Sequence, residues 1–401
     1  MMHKSPEMER MSVVEGSYAV AHAVKTCRPD VISAYPITPQ THIVEYLSQF
    51  VADGELNSEY INVESEFSAL SALVGASAAG ARTYSATTSQ GLALMNEVLF
   101  NASGMRLPIV MTIVNRSLSA PINIWNDHQD SISARDAGWI QLYVEDAQEA
   151  GDAIAQAYWV AENHDVLLPT MVCMDGFILS HTYEPVVLLE EEKTREFLPP
   201  YEPLHKLDPA NPKAFGMFMG PEMYTEFRYM QELAMDAALP KIKEAAALFK
   251  KIYGRWRGDV VDEYHADADV LLIAMGSVVG TIKDVIDELR EEGVSVGLLK
   301  VRAFRPFPKQ EIREAIKRAK VVAVLDKDVS IGTREGALFS EIKAALYNTP
   351  TRVPVVGYIL GLGGRDIPAA RIRQIVADAE RVMEEGIKQE STYIDVNEEA
   401  I

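Results

Sequence analysis

The stretch SAYPITPQTHIVEYL, residues 33–47, decides the fold. A short apolar run, Val31 to Ala34, stops at Tyr35-Pro36-Ile37-Thr38-Pro39, and an amphipathic pattern begins behind it. Each proline removes a ladder donor and biases the residue before it toward extended geometry. The chain is therefore forced into a fixed, non-helical turn just past the carboxyl end of a strand. In open α/β sheets ligands bind along that edge. Thr38 stands on it with a free hydroxyl.

The same alternation runs outward in both directions. EGSYAVAHAVKT reads as a helix before the strand VISAY, and QTHIVEYLSQFVAD as a helix after it, with Ile43, Val44, Leu47 and Val51 on one face. The strands YINV, RTYSAT, PIVMTIV, GWIQLYV and VLLPTMVCM follow, with the helices SEFSALSALVGASAAGA, GLALMNEVLFNAS and AQEAGDAIAQAYWVAEN between them. Such alternation means a parallel, doubly wound sheet with right-handed crossovers. A charged, proline-rich connector comes next, with an amphipathic helix from Tyr224 to Tyr253, and then a second, smaller alternation. There the strand ADVLLIAMGS leads to the loop RAFRPFP, the strands KVVAVLD and VPVVGYIL, the turn GLGGRD and a C-terminal helix. The expected organisation is a tail (1–12), a first α/β domain (13–185), the connector with its long helix packed on the domains (186–262), a second α/β domain (263–388) and a loose acidic tail (389–401).

Composition narrows the function. A chain of 401 residues suits two domains. With 38 Lys and Arg against 58 Asp and Glu, the net charge of −20 argues against a nucleic-acid surface. No apolar run is long enough to span a membrane, and MMHKSPEMERMSVVEG lacks the apolar core of a secretory signal. The two cysteines, Cys27 and Cys173, lie far apart with no C-x-x-C, so no iron–sulfur cluster or structural zinc is expected in this chain. Isolated thiols fit a reducing cytoplasm. The histidines show no metal-ligand spacing, and no metal site is expected.

Four polar clusters fall at strand-to-helix junctions: YPITPQT, VESEFSA, TTSQG and NRSLSAP with NDHQD behind it. On one edge of one sheet they form a pocket. Ser, Thr, Asn and Asp there also serve as caps and turn formers, and acids at a helix start are favoured by its dipole. Capping accounts neither for Arg116 nor for the paired prolines. The run from Ala69 to Gly80 is rich in small residues, which suits close packing within the domain or across a subunit interface. GLGGRD, residues 361–366, follows a strand and is expected to open a helix, a place that suits an anion, although it is not a dinucleotide fingerprint.

These residues resemble the 2-oxoacid:ferredoxin oxidoreductases, most closely the alpha subunit of the multi-subunit pyruvate:ferredoxin oxidoreductase (pyruvate synthase) type. AYPITPQT, VESEFSALSALVGASAAGART, TTSQGLALMNEVLF, SGMRLPIVMTIVNRSLSAPINIWNDHQDS, DGFILSHT, FRPFP and GYILGLGGRD carry the resemblance across residues 12–380. It implies a thiamine-diphosphate pyrimidine-binding-type domain followed by a transketolase C-terminal-like domain. It also implies an enzyme of anaerobic metabolism that turns a 2-oxoacid and coenzyme A into acyl-CoA and CO₂, passing electrons to ferredoxin. By motif, Glu66 matches the carboxylate that bonds the cofactor's aminopyrimidine ring nitrogen, the catalytic and cofactor-binding role. Thr38 and Arg116 match the groups that hold the substrate carboxylate. A carboxylate there favours the imino tautomer that accepts the thiazolium proton, and a guanidinium binds a carboxylate bidentately.

One absence sharpens this expectation. The usual Mg²⁺-diphosphate motif of such enzymes, GDG followed by Asn, does not occur; the Gly-Asp pairs are Gly151-Asp152 and Gly258-Asp259. The resemblance therefore implies a beta subunit with Mg²⁺ and the diphosphate site, and gamma and delta subunits, with iron–sulfur clusters outside this chain. Pyruvate is the expected substrate, with branched-chain, aryl or 2-oxoglutarate acids as alternatives. A non-catalytic scaffold subunit and a nucleotide-binding module built on GLGGRD are two further readings.

Overall fold

A computed structural model describes residues 11–401. Of the expected N-terminal tail, residues 1–10 lie outside the described residues, and Ser12 already opens a strand, Ser12–Glu15, that pairs antiparallel with Tyr183–Val186. The first sheet has seven strands. In spatial order they are Ala303–Arg305, Ile140–Tyr143, Thr170–Asp175, Val110–Asn115, Thr83–Thr87, Val31–Ala34 and Glu59–Asn62. All are parallel except Ala303–Arg305. The second sheet runs Ser391–Tyr393, Val355–Ile359, Val321–Asp326, Val270–Ala274, Val296–Val301 and Val261–Tyr264, with only the last antiparallel. Both are doubly wound α/β sheets with fully buried central strands, as parallel sheets covered on two faces require.

Several elements depart from the sequence reading. RAFRPFP is not only a loop: Ala303–Arg305 crosses to the first domain and closes the edge of its sheet beside Ile140–Tyr143. The acidic C-terminus is not loose throughout, because Ser391–Tyr393 adds a parallel strand beside Val355–Ile359. GLALMNEVLFNAS breaks at Met95 into two helices, Ser89–Leu94 and Asn96–Gly104. On the helix Thr41–Ala52 the fourth core residue is Phe50; Val51 is half-buried. The connector holds a short helix, Glu191–Phe197, as well as the long one, Tyr224–Tyr253. The latter buries Ala234, Ala238, Ile242, Ala245, Ala246, Phe249 and Tyr253 and leaves its first turns exposed.

One apolar core joins the domains: Leu99, Trp139 and Tyr143 pack in the same cluster as Leu271, Phe304 and Phe339. A buried ion network reinforces that joint. Lys300 Nζ lies 2.6 Å from Glu149 Oε2 and 3.0 Å from Glu145 Oε2, while Arg302 Nε reaches Glu149 Oε1 at 2.9 Å and its Nη2 reaches Gln156 Oε1 at 2.9 Å. Buried charges so paired hold geometry more than they add stability. They set the second domain against the first at a fixed register. No helix among the described residues is long and apolar enough to cross a membrane.

Candidate active site

The junctions that follow Val31–Ala34, Glu59–Asn62, Thr83–Thr87 and Val110–Asn115 lie on neighbouring strands of one sheet edge. Ser65 caps the helix Glu66–Ala78, accepting the Ser68 N–H at 3.2 Å. This cap makes Glu66 the first helical residue and turns its side chain inward. Glu66 is only 7% exposed, yet among the described residues no donor bonds its carboxylate. It packs on Gly91: a Cβ there would lie 2.7 Å from Glu66 Oε1 and 2.5 Å from Thr87 Oγ1. Thr87 Oγ1 is itself buried without a partner. Glu64, two residues away, is exposed and accepts the Ser68 hydroxyl, which lowers its pKa.

Arg116 leaves the strand Val110–Asn115 and folds back into the same edge. Its Nη1 donates to the Thr38 carbonyl at 2.7 Å, Nε to the Asn123 carbonyl at 3.0 Å and Nη2 to Gln90 Oε1 at 3.2 Å. No carboxylate pairs with the guanidinium among the described residues. A guanidinium carries five N–H donors, so one on each terminal nitrogen remains, the number a bidentate carboxylate takes. Burial pulls the Arg116 pKa down, and nearby Asp130 opposes it. Asp130 fixes both backbones here: Oδ2 accepts Ser89 N–H at 2.9 Å and Arg116 N–H at 3.0 Å, while Oδ1 accepts Asn115 Nδ2 and Ser131 N–H, each at 2.8 Å. Burial still pushes its pKa up to about 6 against those donors.

The structure thus brings the three expected residues together. Thr38 and Arg116 are bonded directly, although through the Thr38 carbonyl and not its hydroxyl; the residue is exposed. Glu66 joins them through Gly91 and its chain neighbour Gln90. Sequence reasoning singled out the segments TTSQG and NDHQD but not Gln90, Gly91 or Asp130 within them, nor Asn123 just before NDHQD. The Asn123 role runs through its main-chain carbonyl, Asp130 holds main-chain N–H groups and Gln90 meets Arg116 only in three dimensions; only the Gly after Gln in TTSQG left a trace. The turn GLGGRD does not open a helix directly. It forms a short 3₁₀ turn, Leu362–Gly364, and the helix Ala369–Glu385 starts only after Pro368. The anion it meets is the chain's own: Gly363 N–H donates to Asp127 Oδ2 at 3.1 Å.

Behind this edge the two domains meet at Asp175. It accepts His128 Nε2 and Lys327 Nζ, each at 2.7 Å and out of solvent, and the N–H of half-buried Ser277 at 3.0 Å. Burial alone would raise its pKa; Lys327 and His128 overcome that and hold it well below the ordinary carboxylate range. Asp175→Asn is therefore expected to cost about 2 kcal/mol of stability at pH 7. A depressed carboxylate contributes in full above its unfolded pKa, near 3.9, and loses that contribution as pH falls toward the folded value. Melts at pH 7 and pH 3 check this: the gap between variant and wild type should shrink at pH 3.

Two family models match the chain. The family "Pyruvate flavodoxin/ferredoxin oxidoreductase, thiamine diP-bdg" matches residues 22–247, more than half of the chain, and "Pyruvate:ferredoxin oxidoreductase core domain II" matches residues 268–372. The chain belongs to the pyruvate flavodoxin/ferredoxin oxidoreductase family, with the thiamine-diphosphate-binding type of domain first. Within it, the pyruvate synthase subunit PorA of Methanosarcina barkeri is 61% identical over 395 residues, 98% of each chain. PorA of Methanocaldococcus jannaschii is 56% identical over 93% of this chain and 96% of its own, and the ketoisovalerate oxidoreductase subunit VorA of Pyrococcus horikoshii 48% over 93% and 95%. A solved 2-oxoglutarate:ferredoxin oxidoreductase of Magnetococcus marinus, with 2-oxoglutarate, coenzyme A and succinyl-CoA bound, superposes with a TM-score of 0.72 at 19% identity. The match covers 93% of this chain and 65% of that one, so this chain spans about two-thirds of its length. A split-gene transketolase, an inactive beta4 tetramer, superposes at 0.54 with 12% identity, over 93% of this chain and 100% of that one. At these identities the likeness is one of fold: two α/β domains of the transketolase type.

Proposed function

We propose that this chain is the alpha subunit of a thiamine-diphosphate-dependent pyruvate:ferredoxin oxidoreductase, converting pyruvate, coenzyme A and oxidised ferredoxin reversibly to acetyl-CoA, CO₂ and reduced ferredoxin. The observation that carries the reading is a carboxylate without a donor on a largely buried residue, Glu66, linked through Gly91 and Gln90 to a guanidinium without a counter-ion, Arg116. Neither group has an ionic partner among the described residues, so neither is explained by an ion pair that holds the fold. Both are explained by groups that arrive from outside the chain.

When bound, thiamine diphosphate supplies a carbanion nucleophile and an electron sink for decarboxylation. Glu66 and the space over Gly91 suit its aminopyrimidine ring, with the Glu66 carboxylate accepting at the ring nitrogen and setting where the ring's protons sit. Arg116 offers its two remaining N–H groups to the substrate carboxylate, and the Thr38 hydroxyl adds one directional bond. Asp130 holds the backbone of Ser89 and Arg116 still, so that the donors do not reorganise during turnover.

A beta subunit holding Mg²⁺ and the diphosphate, gamma and delta subunits with the iron–sulfur clusters, and ferredoxin as electron partner complete the proposal. On the helix Glu66–Ala78, Phe67, Ser71 and Gly75 share one exposed face, which suits close approach of the beta subunit. Both thiols are buried, and burial pushes Cys27 up to about 12 and Cys173 well above its ordinary value, so neither is poised as a thiolate ligand. A reducing cytoplasm of an anaerobic metabolism is the proposed setting. Purified alone, the chain is expected to be colourless, without stoichiometric iron and without 2-oxoacid decarboxylation; iron analysis and an absorbance spectrum check this.

Pyruvate is favoured over its alternatives by the higher identity to pyruvate synthase subunits, 61% and 56%, than to the ketoisovalerate subunit, 48%. The direct test is co-purification with the companion subunits, followed by coenzyme-A-dependent ferredoxin reduction with a panel of 2-oxoacids. Pyruvate should give the highest kcat/KM. A branched-chain acid in first place would reassign the substrate.

A further inference from the structure

We propose that the GLGGRD turn of the second domain is a positioning clasp for Arg116, so that the substrate guanidinium is aimed only when the two domains are docked. The proposal rests on the reading of Arg116 as the group that binds the substrate carboxylate. The bonds run without a gap from one domain to the other. Asn123 Nδ2 donates to the Gly363 carbonyl at 3.1 Å, and Gly363 N–H returns a bond to Asp127 Oδ2 at 3.1 Å. These two bonds hold both ends of the segment from Asn123 to Asp127. Inside it, Trp125 N–H donates to Asn123 Oδ1 at 2.6 Å, and the Trp125 carbonyl accepts Ser117 N–H at 3.1 Å. The Asn123 carbonyl then accepts Arg116 Nε at 3.0 Å.

The glycines of the turn are explained by this contact. Gly363 and Gly364 have φ of 60° and 80°, the left-handed region. A Cβ at Gly363 would lie 2.6 Å from Asn123 Nδ2, and one at Gly364 would lie 2.4 Å from Trp125 Cβ. The turn is shaped to admit the segment from the first domain. Holding Nε matters because it is the donor nearest the side-chain stem. With Nε fixed, and Nη1 and Nη2 each holding one bond, the plane of the guanidinium is set and its two free N–H groups keep one direction. Asn123 and Gly363 are therefore positioning residues; neither needs to touch substrate.

The test uses the assembled enzyme with Gly363→Ala, Asn123→Ala, their combination, and Gly363→Ala in an Arg116→Ala background. Each single variant is expected to raise KM for pyruvate by roughly tenfold, below the hundredfold that a full 1 Å misplacement costs. KM for coenzyme A should stay unchanged and kcat within about twofold, a split that general loosening of the fold would not produce. The combined variant should be no worse than the worse single one, because both remove the same contact. With Arg116→Ala already present, Gly363→Ala should add nothing. Asn123→Ala introduces no left-handed strain and carries the test alone if Gly363→Ala does not assemble. Pyruvate KM within twofold of wild type in Asn123→Ala, while Arg116→Ala raises it, overturns the clasp and leaves the role of Arg116 standing. Effects that multiply in the combined variant overturn it as well. An unmoved pyruvate KM in Arg116→Ala itself removes the underlying reading, and the clasp with it.

Discussion

Glu66→Gln in the assembled enzyme is expected to lower kcat by roughly 10²–10⁴-fold, the range for loss of a positioned acid–base group, with assembly intact. The substitution keeps size and shape and removes only the carboxylate. A Glu that served the helix dipole alone would cost about 0.3–1 kcal/mol of stability and nothing in rate. Among the described residues the carboxylate gives up no hydrogen bond when it becomes an amide, because none is made to it. The change should therefore leave the melting temperature close to that of the wild type. A large loss of rate without loss of stability separates chemistry from scaffolding. Glu64→Gln is the internal control: that side chain is exposed and its carboxylate is held only locally, by the Ser68 hydroxyl and its own backbone N–H, so the same change there should be mild.

Arg116→Ala is expected to reduce kcat/KM for pyruvate while thiamine diphosphate stays bound. Loss of a charge-assisted pair in a dry site costs about 2–4 kcal/mol. At about 1.4 kcal/mol per tenfold, that is roughly 30- to 700-fold. Part of that loss comes from the Thr38 and Asn123 carbonyls, which lose their donor together. Arg116→Lys should recover little, since an ammonium cannot span three fixed acceptors and a carboxylate at once. Thr38→Ala should cost about 1 kcal/mol. It removes the hydroxyl and keeps the carbonyl that holds Arg116, so it isolates the one bond offered to substrate. Saturation kinetics with pyruvate, beside a binding titration of the cofactor, check both. An Arg116→Ala enzyme within twofold of wild type in kcat/KM would refute the carboxylate role.

Local pattern was enough where the chemistry is local. Val31–Ala34 is apolar and is followed by prolines, and the long helix has the expected bounds, Tyr224–Tyr253, although its first turns bury no face. The three candidate residues were legible because each belongs to an unusual motif. Ala303–Arg305 was not legible, since Pro306 and Pro308 mark a loop and the strand's partner, Ile140–Tyr143, lies about 160 residues earlier. Ser391–Tyr393 is short and polar, and only its place beside Val355–Ile359 makes it a strand. The role of Asn123 was hidden for another reason. Its link to Arg116 runs through a main-chain carbonyl, which any residue carries, and its link to Gly363 crosses 240 positions. GLGGRD looked like an anion cradle because it follows a strand and was expected to open a helix; the space is filled by the chain's own Asn123, Trp125 and Asp127.

The central claim is that the Glu66 carboxylate, and no other acid of this chain, controls the proton on the cofactor's reactive carbon. Hydrogen–deuterium exchange at the thiazolium C2 of bound thiamine diphosphate, quenched in acid and read by NMR, measures that control without substrate turnover. The account predicts that Glu66→Gln slows exchange by roughly the factor by which it lowers kcat, 10²–10⁴, and that Glu64→Gln leaves exchange at the wild-type rate. Fast exchange in Glu66→Gln, or collapse of exchange in Glu64→Gln, would contradict it.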